Sequence, residues 1–326
     1  ANVWDGETID TEWAGEGTQA SPYLITSAAE LAGLAKIMSE AISTTTSIPV
    51  DASLVSGMYF AYTGKYFKLT TDIDLDNQEW TPIGRYGMRF NGNFDGQGHS
   101  ISGIYLKSNS TAVGFFGKTA AGSSISNFRL LDSYVEQSYA SGTWSHFTGS
   151  IVGDAAGDIT NVYSNATMVS PCHYTSGIVG IMRPASANAE TVAINNCWFD
   201  GEIVGKQTRS AAGFVGYLGQ QMTIEFNNCL STGNITSQNR AGGFIGWINA
   251  GWYVSGKGWQ TNKWRFNNCL SVCELSGSKN YVGAYVGQVG TNAVSLTMNN
   301  SYGVGSAVVG TYATSTTAAT KELVES

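Results

Sequence analysis

The chain has 326 residues, of which 13% are charged, roughly half the usual share of about 25%, and 40 are glycine, about 12% against a typical 7% or so. A formal charge of −7 and a pI near 5.0 argue against a nucleic-acid partner, because phosphate recognition needs Lys/Arg-rich surfaces. No run of about 18 apolar residues provides a transmembrane segment, and no basic stretch followed by an apolar core opens the chain.

The first legible element is helical. Ser27-Ala-Ala-Glu30 is a capping box, and Leu31, Leu34, Ile37 and Met38 follow at helical spacing. This predicts a helix near 27–42 within an N-terminal cap region (1–63), with 43–58 as a loop or insertion. Asp72, Asp74 and Asp76 come next at alternate positions. Such carboxylates could hold Ca²⁺ or act on a sugar; the competing expectation is that they accept backbone hydrogen bonds at turns. Asp95, in Asp-Gly-Gln-Gly, has the composition of a turn.

From about residue 64 to 312 the chain repeats. A small residue, two apolar residues and a glycine recur at Gly114–Gly117, Ser150–Gly153, Gly177–Gly180, Gly213–Gly216, Gly243–Gly246 and Ala284–Gly287, with starts 36, 27, 36, 30 and 41 residues apart. A second motif alternates with it: Ile125-Ser-Asn-Phe128, Ile159-Thr-Asn-Val162, Ile194-Asn-Asn-Cys197, Phe226-Asn-Asn-Cys229, Phe266-Asn-Asn-Cys269 and Met298-Asn-Asn-Ser301. A period of about 34 residues without amphipathic helices predicts an all-β, right-handed, single-stranded parallel β-helix. Each coil is expected to hold about three strands and to bury its apolar face only against its neighbours. The first and fourth residues of the second motif should point inward. Its third residue (Asn127, Asn161, Asn196, Asn228, Asn268, Asn300) should form a ladder of side-chain amides at a turn. The recurring glycines should permit positive φ and close approach of coils.

Cys197, Cys229 and Cys269 share the inward slot held elsewhere by Phe128, Val162 and Ser301, so buried thiols are expected; their spacing fits no zinc pattern. Cys172 and His173 are sequence neighbours, which on a strand would face opposite ways. The fifth cycle carries an insertion between Gly246 and Phe266 with Trp247, Trp252, Tyr253, Trp259 and Trp264. Four of the nine tryptophans therefore lie there, as a candidate glycan-binding surface. The alternative is that these rings seal the side of the solenoid. Residues 320–326 read as the start of a helix, so the tail 313–326 is expected to lead into a following element.

Several stretches together resemble the GLUG-motif proteins: Gly15-Glu-Gly-Thr-Gln-Ala-Ser-Pro22-Tyr23-Leu-Ile25, Gly64 through Asp72-Ile-Asp74, Trp80-Thr-Pro-Ile-Gly84, and Phe90 through Asp95-Gly96-Gln-Gly98 to Ile101. The Gly-Phe-Phe-Gly and Gly-Phe-Val-Gly elements are similar to the GLUG repeat itself. The resemblance implies a β-helix on a secreted or surface-anchored bacterial protein, often of gut organisms, in company with immunoglobulin A peptidases and adhesins. It implies no catalytic residues. The resulting expectation is a monomeric, non-catalytic binding module with no resident cofactor beyond a Ca²⁺ option, adhering to host glycan, glycoprotein or extracellular matrix. A carbohydrate-active hydrolase or lyase, or a structural stalk, are the alternatives.

Overall fold

The computed structural model describes residues 2–40, 50–52, 59–139, 145–171, 174–183, 190–205, 209–218, 222–248, 252–254, 256, 258–260, 262–278, 281–290, 294–304 and 309–312. The fold is a parallel β-solenoid with one helix among the described residues. Four ladders run along it, each built from the same segment of successive coils. One ladder runs Tyr105–Ser108, Tyr134–Gln137, Thr167–Ser170, Glu202–Gly205, Asn234–Thr236, Glu274–Ser276. A second begins Ala112–Val113 and ends Val282–Gly283, a third runs from Phe116–Lys118 to Val309–Tyr312, and the fourth contains all the Asn motifs. Every inter-coil pairing in these ladders is parallel, and like residues pair with like, as in Ile194↔Phe226↔Phe266↔Met298.

A coil holds four or five short strand segments rather than three, because both motifs bend. In one coil they are Tyr174–Ser176, Val179–Met182, Glu190–Asn195, Trp198–Phe199 and Glu202–Gly205. The first break falls at Gly177-Ile178, where Ile178 turns fully into the core. A Cβ on Gly177 would meet the Gly213 carbonyl oxygen at 2.4 Å, and one on Gly213 would meet that of Gly243 at 2.3 Å, so close approach of backbones excludes any larger residue. The second bend falls at the motif asparagine, which ends the strand before Asn196, Asn228, Asn268 and Asn300, while Ser124–Leu131 and Asp158–Ser164 run on through Asn127 and Asn161. All six have positive φ, from 46° at Asn300 to 62° at Asn127, so the left-handed bend is made by asparagine and not by the motif glycines. Asparagine tolerates this conformation because its short amide bonds locally.

Those amides form the expected ladder over most of its length. Asn161 donates to Asn127 at 2.8 Å, Asn228 to Asn196 at 3.0 Å, Asn268 to Asn228 at 3.2 Å and Asn300 to Asn268 at 2.9 Å. A second ladder, one residue earlier, links Asn299, Asn267, Asn227 and Asn195 at 2.7–2.8 Å. Inside, aromatic rings stack from coil to coil: Phe214 on Phe244 at 4.7 Å, Phe244 on Tyr285 at 4.9 Å, Phe226 on Phe266 at 4.8 Å. These spacings reproduce the strand separation of about 4.8 Å, so a ring at one motif position packs face to face with its repeat.

The helix runs Ala28–Ser39 and is closed at its start by the reciprocal Ser27/Glu30 bonds. Its buried face is Ala28, Leu31, Leu34, Ala35 and Met38, with Ile37 half-buried. Asn2 accepts the Ala28 N–H at 2.8 Å, and the Asp10 carbonyl lies where a Cβ of Gly33 would stand. The N-terminal end of the solenoid core is thereby covered. In the segment expected to be a loop, Val50–Ala52 pairs antiparallel with Tyr59–Ala61. Residues 41–49, 53–58 and the tail 313–326 lie outside the described residues.

Candidate functional site

Two of the three carboxylates in the acidic triplet, Asp72 and Asp74, accept backbone N–H groups. Asp72 accepts the Ser100 N–H at 2.8 Å and faces His99 Nδ1 at 3.2 Å; the backbone bond from Ser100 is the main cause holding its carboxyl below the usual range. Asp74 accepts the Asp76 N–H at 2.9 Å, and Asp76 itself sits at φ 51° in the turn. Asp95 accepts the Gln97 N–H and the Asn127 amide, each at 2.9 Å, and so starts the Asn ladder. Among the described residues no group of three His, Cys, Asp or Glu side chains has the arrangement to hold a metal ion.

Cys197, Cys229 and Cys269 stack in the core, at most 2% exposed, and donate to main-chain carbonyls at 3.2–3.3 Å. Burial pushes the Cys197 thiol up to about 12 and also raises Cys229. Cys273 is half-buried and donates to Ser231 Oγ at 3.0 Å. Cys172 and His173 lie outside the described residues.

The tryptophan-rich insertion does not present its rings together. Trp264 is fully buried, paired in register between Ile224 and Leu296, because it occupies an inward position of the strand Asn262–Asn267. It is therefore a core residue and offers no face to a ligand, a correction to its place in the candidate surface. Trp247 is half-buried in an external stack with Tyr217 at 5.2 Å and Tyr174 at 6.2 Å, under the Arg240 guanidinium at 4.5 Å. Trp252–Val254 and Gly258–Gln260 form an antiparallel hairpin with Tyr253 opposite Trp259; the side chains of Trp252, Tyr253 and Trp259 lie outside the described residues.

An open groove that the aromatic count did not reveal lies on the Asn face. It has a volume of about 630 Å³ and is lined by Gln97, Asn127, Arg129, Asn161, Tyr163, Asn196 and Trp198, among others. Its wall comes from one ladder position, two residues after each bend asparagine, where Arg129, Tyr163 and Trp198 pair in register. That position follows the inward residue of the motif, so alternation turns it outward. Tyr163 and Trp198 meet with centroids 4.9 Å apart and planes at 68°, and Trp198 is 40% exposed. Its indole N–H donates to Thr232 Oγ1 at 2.8 Å, which fixes the ring. Burial, then the neighbouring Asp200, raise the Tyr163 phenol above its ordinary range and keep it protonated.

The groove floor holds the one gap in the outer Asn ladder. No bond joins Asn196 to Asn161 among the described residues, although each bonds its other neighbour. The Asn161 Oδ1 acceptor and the Asn196 Nδ2 donor are thus left to solvent, and both side chains are exposed. The exposed Arg129 guanidinium, without a described ion pair, stands one coil away. Two fixed rings, an amide donor, an amide acceptor and a cation converge within three coils. Among the described residues that line the groove there is neither a carboxylate pair nor a nucleophile–base pair.

No family model matches the chain. Its sequence is 27% identical over 233 residues, 68% of its length, to "Halomucin" of Haloquadratum walsbyi, and 28% identical over 155 residues, 45% of its length, to a "Putative Gly-rich membrane protein" of Evansella cellulosilytica. The chain spans about 2% and 15% of the lengths of these two relatives. The solved structure titled as a "putative immunoglobulin A1 protease" from Bacteroides ovatus superposes with a TM-score of 0.57 at 20% identity, covering 91% of this chain and 84% of that one. At that identity the likeness is one of fold: the chain shares a stacked parallel β architecture with that protein.

Proposed function

We propose that this right-handed, single-stranded parallel β-helix is a non-catalytic glycan-binding module of the GLUG-motif type, carried on a secreted or surface-anchored bacterial protein. The observation that carries the reading is the groove in which Tyr163 and Trp198 stand over the unspent amide groups of Asn161 and Asn196. A sugar ring presents an apolar C–H face and a rim of hydroxyls. The first packs on an indole or phenol ring, and the second exchanges hydrogen bonds with planar amides and a guanidinium. Because the coil repeat sets the spacing of these groups, the groove suits a short run of an extended glycan chain. The low charged fraction and the Asn/Ser/Thr-rich surface favour the same neutral, hydroxyl-rich partner. Among the described residues no helix is long and apolar enough to cross a membrane.

The test is a glycan and mucin panel read for retention and for released product in the same wells. Retention without product, lost in Trp198→Ala and Tyr163→Ala but kept in Trp252→Ala, supports binding at this groove. Appearance of new reducing ends or unsaturated sugars would replace the reading with a carbohydrate-active enzyme. Absence of retention on every glycan would leave the solenoid as a stalk.

A further inference from the structure

A second cavity, on another face, has the chemistry of an anion site. It measures about 520 Å³, within the range of about 300–1,000 Å³ typical of small-molecule sites, and is lined by Thr81, Arg85, Tyr86, Ser110, Thr111 and Lys118, among others. Lys118 is the decisive group. Its side chain is only 5% exposed, its Nζ lies 3.0 Å from Asp154 Oδ2, and the Tyr86 ring stands 5.3 Å from that nitrogen. Lys118 and Asp154 pair in register on adjacent coils, so the ladder itself sets their contact.

The charge around Asp154 does not balance. Arg89 and Arg183 also converge on this carboxylate, Arg89 at 3.2 Å. Three cations therefore share one fully buried anion, and Asp154, Arg89 and Arg183 all act on the Lys118 charge. The burial that leaves this ammonium poorly solvated also lowers its pKa. Lys118 and Arg89 are only 5% and 12% exposed, and with one carboxylate between them a surplus of about one poorly solvated positive charge is costly unless an anion joins it; Arg183, 39% exposed, adds to the field from the water side. Arg85 is not a substitute ligand holder, since its guanidinium already donates to the carbonyls of Ser39, Tyr86 and Glu40. It does fix the cavity wall that carries Tyr86.

We propose that the cavity between Lys118, Tyr86 and the hydroxyls of Thr81, Ser110 and Thr111 binds the oxyanion of an acidic sugar, a carboxylate or a sulfate ester. The Lys118 ammonium, with the Arg89 and Arg183 charges behind it, attracts the oxyanion. The hydroxyls bond its remaining oxygens, and the exposed Tyr86 ring covers the pyranose face. The site is remote in sequence from the Tyr163–Trp198 groove and does not rest on that reading.

The experiment is amide-resolved NMR of the whole 326-residue chain titrated with sodium glucuronate, galactose 6-sulfate or methyl glucoside. Saturable shifts confined to amides 84–86 and 110–112 are expected with one or both acidic sugars and not with the neutral one. The two acidic probes decide between carboxylate and sulfate. Lys118→Met should weaken binding about tenfold or more, the worth of a charge-assisted hydrogen bond. Because that change also disturbs the Asp154 cluster, Tyr86→Ala at a 72% exposed position is the second variant, expected to weaken binding several-fold with the rest of the spectrum unchanged. Trp198→Ala should leave this binding intact. The proposal is overturned if no acidic sugar shifts these amides, if methyl glucoside shifts them equally, or if a folded Lys118→Met binds as tightly as the parent.

Discussion

Asn228 donates its side-chain amide to Asn196 at 3.0 Å and accepts that of Asn268 at 3.2 Å, while its own backbone is held at φ 54°. The residue thus does two jobs, a left-handed bend and a rung, and substitutions separate them. Asn228→Gly keeps the bend and loses the rung, at a cost of about 1 kcal/mol for the net hydrogen bonding. Asn228→Ala loses both and should cost about 2–3 kcal/mol, since a left-handed non-glycine residue adds about 1–2 kcal/mol. Urea unfolding of the two variants checks the order; equal costs would mean the bend carries no strain.

Asp154 links stability to acid. Burial alone would raise its pKa, but Arg89, Arg183 and Lys118 outweigh that and hold the carboxyl well below the ordinary range. A depressed folded-state pKa contributes stability above the unfolded value of about 3.9, and that stability drains away as pH falls through the folded value. Asp154→Asn should therefore cost about 3–5 kcal/mol at neutral pH by leaving buried cations unpaired. Denaturation at pH 7 and at points below about pH 4 should show the gap between variant and parent shrinking in acid. A gap that is constant with pH would exclude the carboxylate's charge as its source.

The two tryptophans Trp198 and Trp264 should behave oppositely. Trp264→Ala empties a fully buried position and should cost about 3–5 kcal/mol. Trp264→Phe should recover part of this, because the buried indole nitrogen it removes has no hydrogen-bond partner. Trp198→Ala loses one bond to Thr232 at a 40% exposed site and should cost under about 1 kcal/mol while abolishing glycan retention. Thermal melts run beside the glycan panel test both halves.

Two of the core thiols, Cys197 and Cys229, should be inert. With Cys197 pushed up to about 12 by burial, and Cys229 raised likewise, neither forms thiolate at pH 8. Site-resolved mass spectrometry after iodoacetamide treatment should find both unmodified in the native chain and both alkylated in urea. Native labelling at Cys197 would show that the core opens at that coil.

The repeat was readable because each coil must present the same inward residues to its neighbours, and that demand leaves a period in the sequence. The inward first and fourth motif positions, the Asn rungs and the Ser27–Glu30 cap all follow from local pattern. The four- and five-segment coils did not, since asparagine and glycine bends divide strands without changing their alternation. Trp264 was misassigned for a related reason: its place in an insertion hid that it had already rejoined the strand, on its inward side. The groove could have been found by reading one residue past each inward cysteine or its equivalent, where Arg129, Tyr163 and Trp198 recur. The gap between Asn161 and Asn196 has no sequence sign, because both are ordinary motif asparagines. The Lys118–Asp154–Arg183 cluster was equally hidden, since its members stand 36 and 29 residues apart and meet only when coils stack.

The coil containing the tryptophan hairpin is longer than its neighbours, yet Asn267 sits on Asn227 as squarely as Asn299 sits on Asn267. Forty residues separate the first pair and 32 the second, and all the excess is expelled at the corner between Ile248 and Asn262. Chain length is thus a free variable at that corner while side-chain register is conserved around it. A lineage carrying this scaffold can exchange what it displays there without re-solving its core, and a designer could graft a foreign loop at the same point.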